Sequence, residues 1–212
     1  MKVHFSFKTF SLFLLLFPIL VFPSLPVKAS GGQHLPTFND FIATVSNGRS
    51  GVVSGVYVPD VLADKVIQQS TNNPGFVSPA VGVVTQFSMA VPYGVIGLLA
   101  HNVLAGGNFN KLQIGQEVRI IYGDGKVELY TIRAINRYKA INSHSLVSSF
   151  RDLITGKIYS AAQVFEKYYQ GGDQVTFQTC IAQGGDLSWG RIFITATPVA
   201  SIQPEIVTAN IP

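Results

Sequence analysis

The sequence predicts an all-β fold, a barrel or sandwich of seven or so short strands with one or two short helices. Three observations point there. Runs rich in β-branched residues recur along the chain, as half-buried strands require. Two of them flank Asp124-Gly125, a pair suited to a tight hairpin turn. Only one segment carries a convincing helix pattern with its own stop signal.

Taken in order, the chain opens with residues 1–29, which read as a signal peptide or an N-terminal membrane anchor. Lys2 and Lys8 form a basic start, "FSLFLLLFPILV" (Phe10 to Val21) a short apolar run, and "VKA" (Val27 to Ala29) a cleavage-like end. The uncharged run from Thr9 to Val27 is just long enough to span a bilayer as a helix. Pro18, Pro23 and Pro26 oppose a straight one. Either reading places the following domain outside the cytoplasm. Residues 30–50 are expected to form a surface segment, 51–200 the β domain, and 201–212 an extended tail.

Within the domain, "GVVSGVYVP" (Gly51 to Pro59), "AVGVVTQF" (Ala80 to Phe87) and "GVIGLLAH" (Gly94 to His101) read as strands, the last apolar enough to be covered on both faces. "DVLADKVIQQ" (Asp60 to Gln69) is a candidate short helix. "EVRIIYGDGKVELYTIRAI" (Glu117 to Ile135) is the hairpin, and "SAAQVFEKYYQ" (Ser160 to Gln170), closed by Gly171 and Gly172, is the clear helix. "QVTFQTC" (Gln174 to Cys180) and "RIFITATPV" (Arg191 to Val199) are strands joined by the expected loop "IAQGGDLSWG".

The net charge of +4 belongs to the leader. Three of the fifteen lysines and arginines lie there (Lys2, Lys8, Lys28), while all eleven carboxylates follow, leaving twelve positive charges against eleven negative. No basic stripe interleaved with aromatics is present, so nucleic acid is not an expected partner. No cluster of carboxylates suggests calcium, and no metal or cofactor is expected.

Cys180 is the only cysteine, so the chain cannot make an internal disulfide. In an exported protein such a residue is a link to another chain, a small buried hydrophobe, or a thiol kept for chemistry. A nucleophilic thiol needs a partner for its proton, usually histidine. His4 is in the leader, His34 follows it, and His144 sits in the polar run "INSHSLVSS"; His101 ends an apolar strand, where a side chain is held rigidly yet reaches solvent. Arg191 opens a strand otherwise free of charge, and a guanidinium there can stabilise negative charge developing on an attacked carbonyl oxygen. Each residue alone has a structural explanation: a capped histidine, a core thiol, a solvated arginine.

Together, these residues resemble the sortases, exported cysteine transpeptidases that attach proteins to bacterial surfaces or link pilus subunits. "TFQTC" (Thr176 to Cys180) is similar to the family's T-L-x-T-C segment, with Phe177 replacing leucine. "LLAHN" (Leu98 to Asn102) resembles the strand end that carries the histidine, and "RIFITATP" (Arg191 to Pro198) the strand that starts with the arginine. "GNFNKLQIGQEVRIIYGDGKVELYTI" (Gly107 to Ile132) and, more weakly, "SGVYVPDVLADKVI" (Ser54 to Ile67) agree. The resemblance implies a closed sortase-like β-barrel of about eight strands. It implies that Cys180, His101 and Arg191 are catalytic. It also implies cleavage of an LPXTG-like sorting signal on exported proteins through a thioester, with transfer to an amine of peptidoglycan or pilin. The N-terminal segment is then a possible membrane tether. Residues 138–172, which depart most from the pattern, leave the recognised signal open.

Two other functions compete. An L,D-transpeptidase acting on peptidoglycan expects glycine directly before its cysteine, where this chain has Thr179. A catalytically silent surface-binding barrel needs none of the three residues, and the presence of all three argues against it.

Overall fold

The computed structural model describes residues 35–199 apart from Leu146; the expected leader (1–29) and the tail (201–212) lie outside the described residues. The order is α1 (Phe38–Val45), β1 (Val53–Val58), β2 (Leu62–Gln68), β3 (Val83–Gln86), β4 (Val95–Leu99), α2 (Gly106–Phe109), β5 (Glu117–Tyr122), β6 (Val127–Ala140), β7 (Phe150–Asp152), β8 (Ile158–Tyr159), α3 (Ala161–Tyr169), β9 (Gln174–Gln183) and β10 (Asp186–Pro198).

The sheet runs β10-β9-β4-β3-β2-β1-β5-β6 and closes on itself by pairing β6 with β10, so eight strands make the barrel expected from the sequence. β7 and β8 extend from β6 outside the ring. Two pairings, β2–β3 and β4–β9, are parallel and the rest antiparallel. Closure leaves no long edge to aggregate. Side chains at alternate positions fill the interior, among them Val56, Leu98, Ile120, Phe177, Ile192 and Ile194, all fully buried. Phe109 of α2 closes on them edge-on to Phe177, with ring centres 5.1 Å apart.

A second apolar layer lies outside the barrel. α3 begins with a capping box, Ser160 accepting from the Gln163 amide while the Gln163 side chain accepts from the Ser160 amide. It lays Tyr168 flat on Phe193 of β10, at 4.2 Å between ring centres, and Tyr169 beside them.

The Asp124-Gly125 hairpin is present, but only Gly125 takes a positive φ (84°); the Asp124 carboxylate instead accepts from the Lys126 amide and the Ser50 hydroxyl.

Two local expectations are corrected. Asp60–Gln69 is not a helix. Asp60 adopts φ 62°, turning the chain so that Leu62 pairs with Val58, and the residues that follow alternate in and out as β2. The apolar residues Leu62 and Val66, four apart, satisfy helix and strand patterns equally, and the Pro59-Asp60 turn decides between them. The segment "IAQGGDLSWG" is mostly strand: β9 continues to Gln183 and β10 starts at Asp186, with Gly184 and Gly185 (φ 60° and 85°) making the turn. Residues 38–45 form a helix, α1, capped by Thr37 and packed through Phe41 and Val45 on Tyr57 and Ile121.

Candidate active site

Alternation along β9 decides which way its cysteine faces. Val175 and Phe177 point into the barrel, so Thr176, Gln178 and Cys180 point out. The outward residues touch α3: the Thr176 hydroxyl donates to the Tyr168 carbonyl at 2.8 Å, and the Tyr169 hydroxyl donates to Gln178 Oε1. Cys180 lies past the helix and is half-buried.

Arg191 is paired directly with Cys180 in the β9–β10 ladder. Its neighbours Ile192 and Ile194 are inside the barrel, which puts Arg191 and Phe193 on the outer face with the thiol. One guanidinium nitrogen, Nη1, donates to the Ser188 carbonyl at 3.1 Å and to its neighbour Gly190's carbonyl at 2.8 Å. The guanidinium carbon lies 6.0 Å from the Phe150 ring centre. Anchored by one nitrogen, the fork retains donors for a second partner.

His101 approaches from the other side. β4 runs parallel to β9 with Leu99 beside Gln178, and the ladder goes on: the Ala100 amide donates to the Gln178 carbonyl at 3.3 Å, and the Thr179 hydroxyl donates to the Ala100 carbonyl at 2.8 Å. His101 follows directly, two residues past the last residue of β4. Leu98 and Ala100 face inward, and His101 is exposed. Arg191 therefore occupies the position opposite Cys180 on one neighbouring strand, and His101 follows the end of the other. Neighbouring strands are about 4.8 Å apart, so Arg191 is within side-chain reach of the thiol.

The loop after His101 is held tightly. The His101 carbonyl accepts from the amides of Leu104 and Gly106. A Cβ at Gly106 would run into the Thr179 hydroxyl and the carbonyls of Ala100 and His101, so only glycine lets α2 come this close. Asn102 Nδ2 donates to the Leu187 carbonyl at 2.9 Å, tying this loop to the β9–β10 hairpin. That hairpin is braced by Asp186, whose carboxylate accepts from the Ser188 amide at 2.8 Å. A hydrogen bond from Ser143 holds the Asp186 carboxyl below its usual range, helped by the Ser188 amide and by the charges of His144 and Arg191.

The sequence reading named His101, Cys180 and Arg191 but missed their supports: Gly106, Asn102, Asp186 and the Gln178–Tyr169 pair. Only Gln178, within "TFQTC", carried a signal, since two residues before the cysteine shares its face. Of the other histidines, His144 sits near Asp186 on the rim and His34 lies outside the described residues.

Elsewhere, a cleft of about 220 Å³ is lined by Glu128, Leu129, Tyr130, Asp173, Pro198 and Val199 and includes none of the three residues. Its Glu128 is already engaged by Tyr122, Lys126 and Tyr130. Among the described residues, no group of three or more His, Cys, Asp or Glu side chains is placed to hold a metal ion, and no helix is long and apolar enough to cross a membrane.

No protein-family model matches the sequence, and no curated protein matches it. Several solved structures are similar to it. Sortase A of Listeria monocytogenes is 14% identical with a TM-score of 0.44, the match covering 70% of this chain and 88% of that one. Sortase C-1 from Actinomyces oris is 16% identical with a TM-score of 0.43, covering 79% and 83%. Streptococcus agalactiae sortase C1 is 14% identical with a TM-score of 0.44, covering 78% and 84%.

Proposed function

We propose that this chain is a sortase-type cysteine transpeptidase, acting outside the cytoplasm on exported proteins that carry an LPXTG-like sorting signal. The observation that supports the reading is the strand register, with Arg191 opposite Cys180 on β10 and His101 two residues past the end of β4, which runs parallel beside β9.

The chemistry follows from those positions. The Cys180 thiolate attacks the carbonyl carbon of the signal's threonine. Negative charge gathers on the carbonyl oxygen, where the free donors of Arg191 and nearby backbone amides stabilise it. As the C–N bond breaks, His101 gives its proton to the departing amine, leaving a thioester on Cys180. An amine of a peptidoglycan cross-bridge or a pilin lysine then attacks the thioester. His101 takes its proton, the C–S bond breaks, and the thiolate returns. The thioester preserves the acyl group's reactivity for the second amine. An unpaired cysteine is what this cycle needs, because a disulfide would remove the nucleophile. The N-terminal segment serves as a signal peptide or a tether that keeps the domain at the cell surface.

The test is to incubate the protein with LPXTG-type peptides plus an amine and, in parallel, with muropeptides. Mass spectrometry should find the peptide's acyl portion on Cys180 and then on the amine. An adduct from muropeptides alone would favour an L,D-transpeptidase. No adduct from either, with Cys180 slow to alkylate in the folded protein, would favour a silent barrel.

A further inference from the structure

Gln178 is the last outward side chain of β9 beneath α3 before the open stretch that holds Cys180. Two residues along a strand is about 7 Å, so Gln178 and Cys180 sit side by side on one face. Around Gln178 the surface is walled: Leu99 is its register partner on β4, Phe193 its partner on β10, and Tyr169 stands over it from α3. Leu99 and Phe193 are buried, and Gln178 itself is half-buried.

The hydrogen bond to Tyr169 fixes the amide. Tyr169 is buried, 3% exposed, and its hydroxyl donates to the oxygen end of Gln178. Oxygen and nitrogen are at opposite corners of an amide, so the NH₂ end, which only donates, is turned away from the tyrosine. An oriented donor on an otherwise apolar wall rejects a substrate group that cannot accept from it, because the donor then loses water without gaining a partner.

An extended peptide with its attacked carbonyl over Cys180 sets the residue two positions away over Gln178. The half of the substrate that stays bound through both chemical steps is the acyl half, and the walled side suits it better than the open hairpin end. We propose that Gln178 is a specificity-determining residue, its amide nitrogen donating to a hydrogen-bond-accepting side chain (Asn, Asp or Ser) on the substrate residue two positions N-terminal to the attacked carbonyl. This rests on the transpeptidase reading above and narrows its substrate class: the signal is polar where LPXTG has proline.

The experiment measures acylation of Cys180 by mass spectrometry. It uses an LPATG-type pentapeptide series whose second position is Asn, Asp, Ser, Leu or Pro, and records alkylation by iodoacetamide separately. The wild-type protein is expected to react about ten-fold faster with Asn, Asp or Ser than with Leu or Pro. Gln178→Leu should reverse that order with alkylation unchanged. Gln178→Glu keeps an acceptor for Tyr169 but loses the donor, so it should discriminate most strongly against Asp. Tyr169→Phe frees the amide to turn and should flatten the ranking. An apolar preference in the wild type, or the same ranking in every variant, overturns the inference while leaving the transpeptidase reading standing. A wild type that alkylates but is acylated by no peptide overturns both.

Discussion

On the inner face of β4, β9 and β10, Leu98, Phe177 and Ile192 are fully buried and interlock with the rest of the barrel core. On the outer face of β9 and β10, Cys180 and Arg191 are half-buried, and His101, just past the end of β4, is exposed. The two faces are separated by single steps along each chain, because strand side chains alternate. Packing on one side thus fixes the aim of the side chains on the other. A slip of one residue in β9 or β10 would turn Cys180 or Arg191 into the core. The inner face needs volume and shape; the outer face needs particular functional groups. Substitutions on the two faces should therefore fail in different ways.

The largest effect is expected on the outer face from Cys180→Ala, which should reduce peptide cleavage to background while leaving the melting temperature near that of the wild type. Next come His101→Ala and Arg191→Ala, each expected to slow acylation by about 10²–10⁴-fold. Arg191→Lys should recover little, because an ammonium that took over the Nη1 bonds to the Ser188 and Gly190 carbonyls would lack the remaining donors of the planar fork. If the outer-face variants unfolded the protein instead, the division of labour between the faces would be wrong.

Phe177→Ala probes the inner face. It should cost about 3–5 kcal/mol in denaturant unfolding through the cavity it leaves, with the labelling rate of the remaining folded protein little changed. Gly106→Ala tests the join between the faces. Its Cβ meets the Thr179 hydroxyl and the carbonyls of Ala100 and His101, so it should lower the cleavage rate more than Gly107→Ala, for which the nearest obstacle is the Asn102 carbonyl.

The smallest effect comes from an inner-face exception. Asp64 shares the inward side of β2 with Leu62 and Val66, is 5% exposed, and has one carboxylate oxygen with no partner. Burial pushes its pKa up to about 6 from the usual 3.8. The folded state thus binds this proton more tightly than the unfolded chain does. The resulting stability is full below pH 3.8 and is lost as pH rises through about 6. Asp64→Asn should therefore raise unfolding stability at pH 7.5, by about 2–3 kcal/mol, and bring no gain at pH 3.5. Equal gains at both values would mean that the carboxylate is solvated.

Much of the fold was legible where local chemistry was unambiguous. The Asp124-Gly125 turn, the Ser160 cap with its closing glycines, and the apolar run of β4 each carry signals that depend on a few adjacent residues. β2 was misread because Leu62 and Val66 suit either period and a single non-glycine residue at positive φ, Asp60, makes the choice. The β9–β10 hairpin looked like a loop because Gly184-Gly185 and the polar residues around it hide a strand extension, whose local pairing of Gly190 with Ile181 is backed by its distant pairing with Lys139 of β6. The candidate site divided in the same way. Residue types and their order named His101, Cys180 and Arg191, but what brings the end of β4 alongside β9 is a parallel register set between segments almost eighty residues apart. The Asn102–Leu187 tie depends on it too, whereas the Tyr169–Gln178 bond depends on α3 folding back against β9.

The central claim is that His101 and Arg191 act with Cys180 on one carbonyl. A double-mutant cycle on the acylation rate of Cys180 by an LPXTG-type peptide tests it most directly. Groups working on the same transition state should be strongly coupled, so the His101→Ala, Arg191→Ala protein should be scarcely slower than the worse single variant. Losses that multiply, or a single variant that acylates at the wild-type rate, would contradict it.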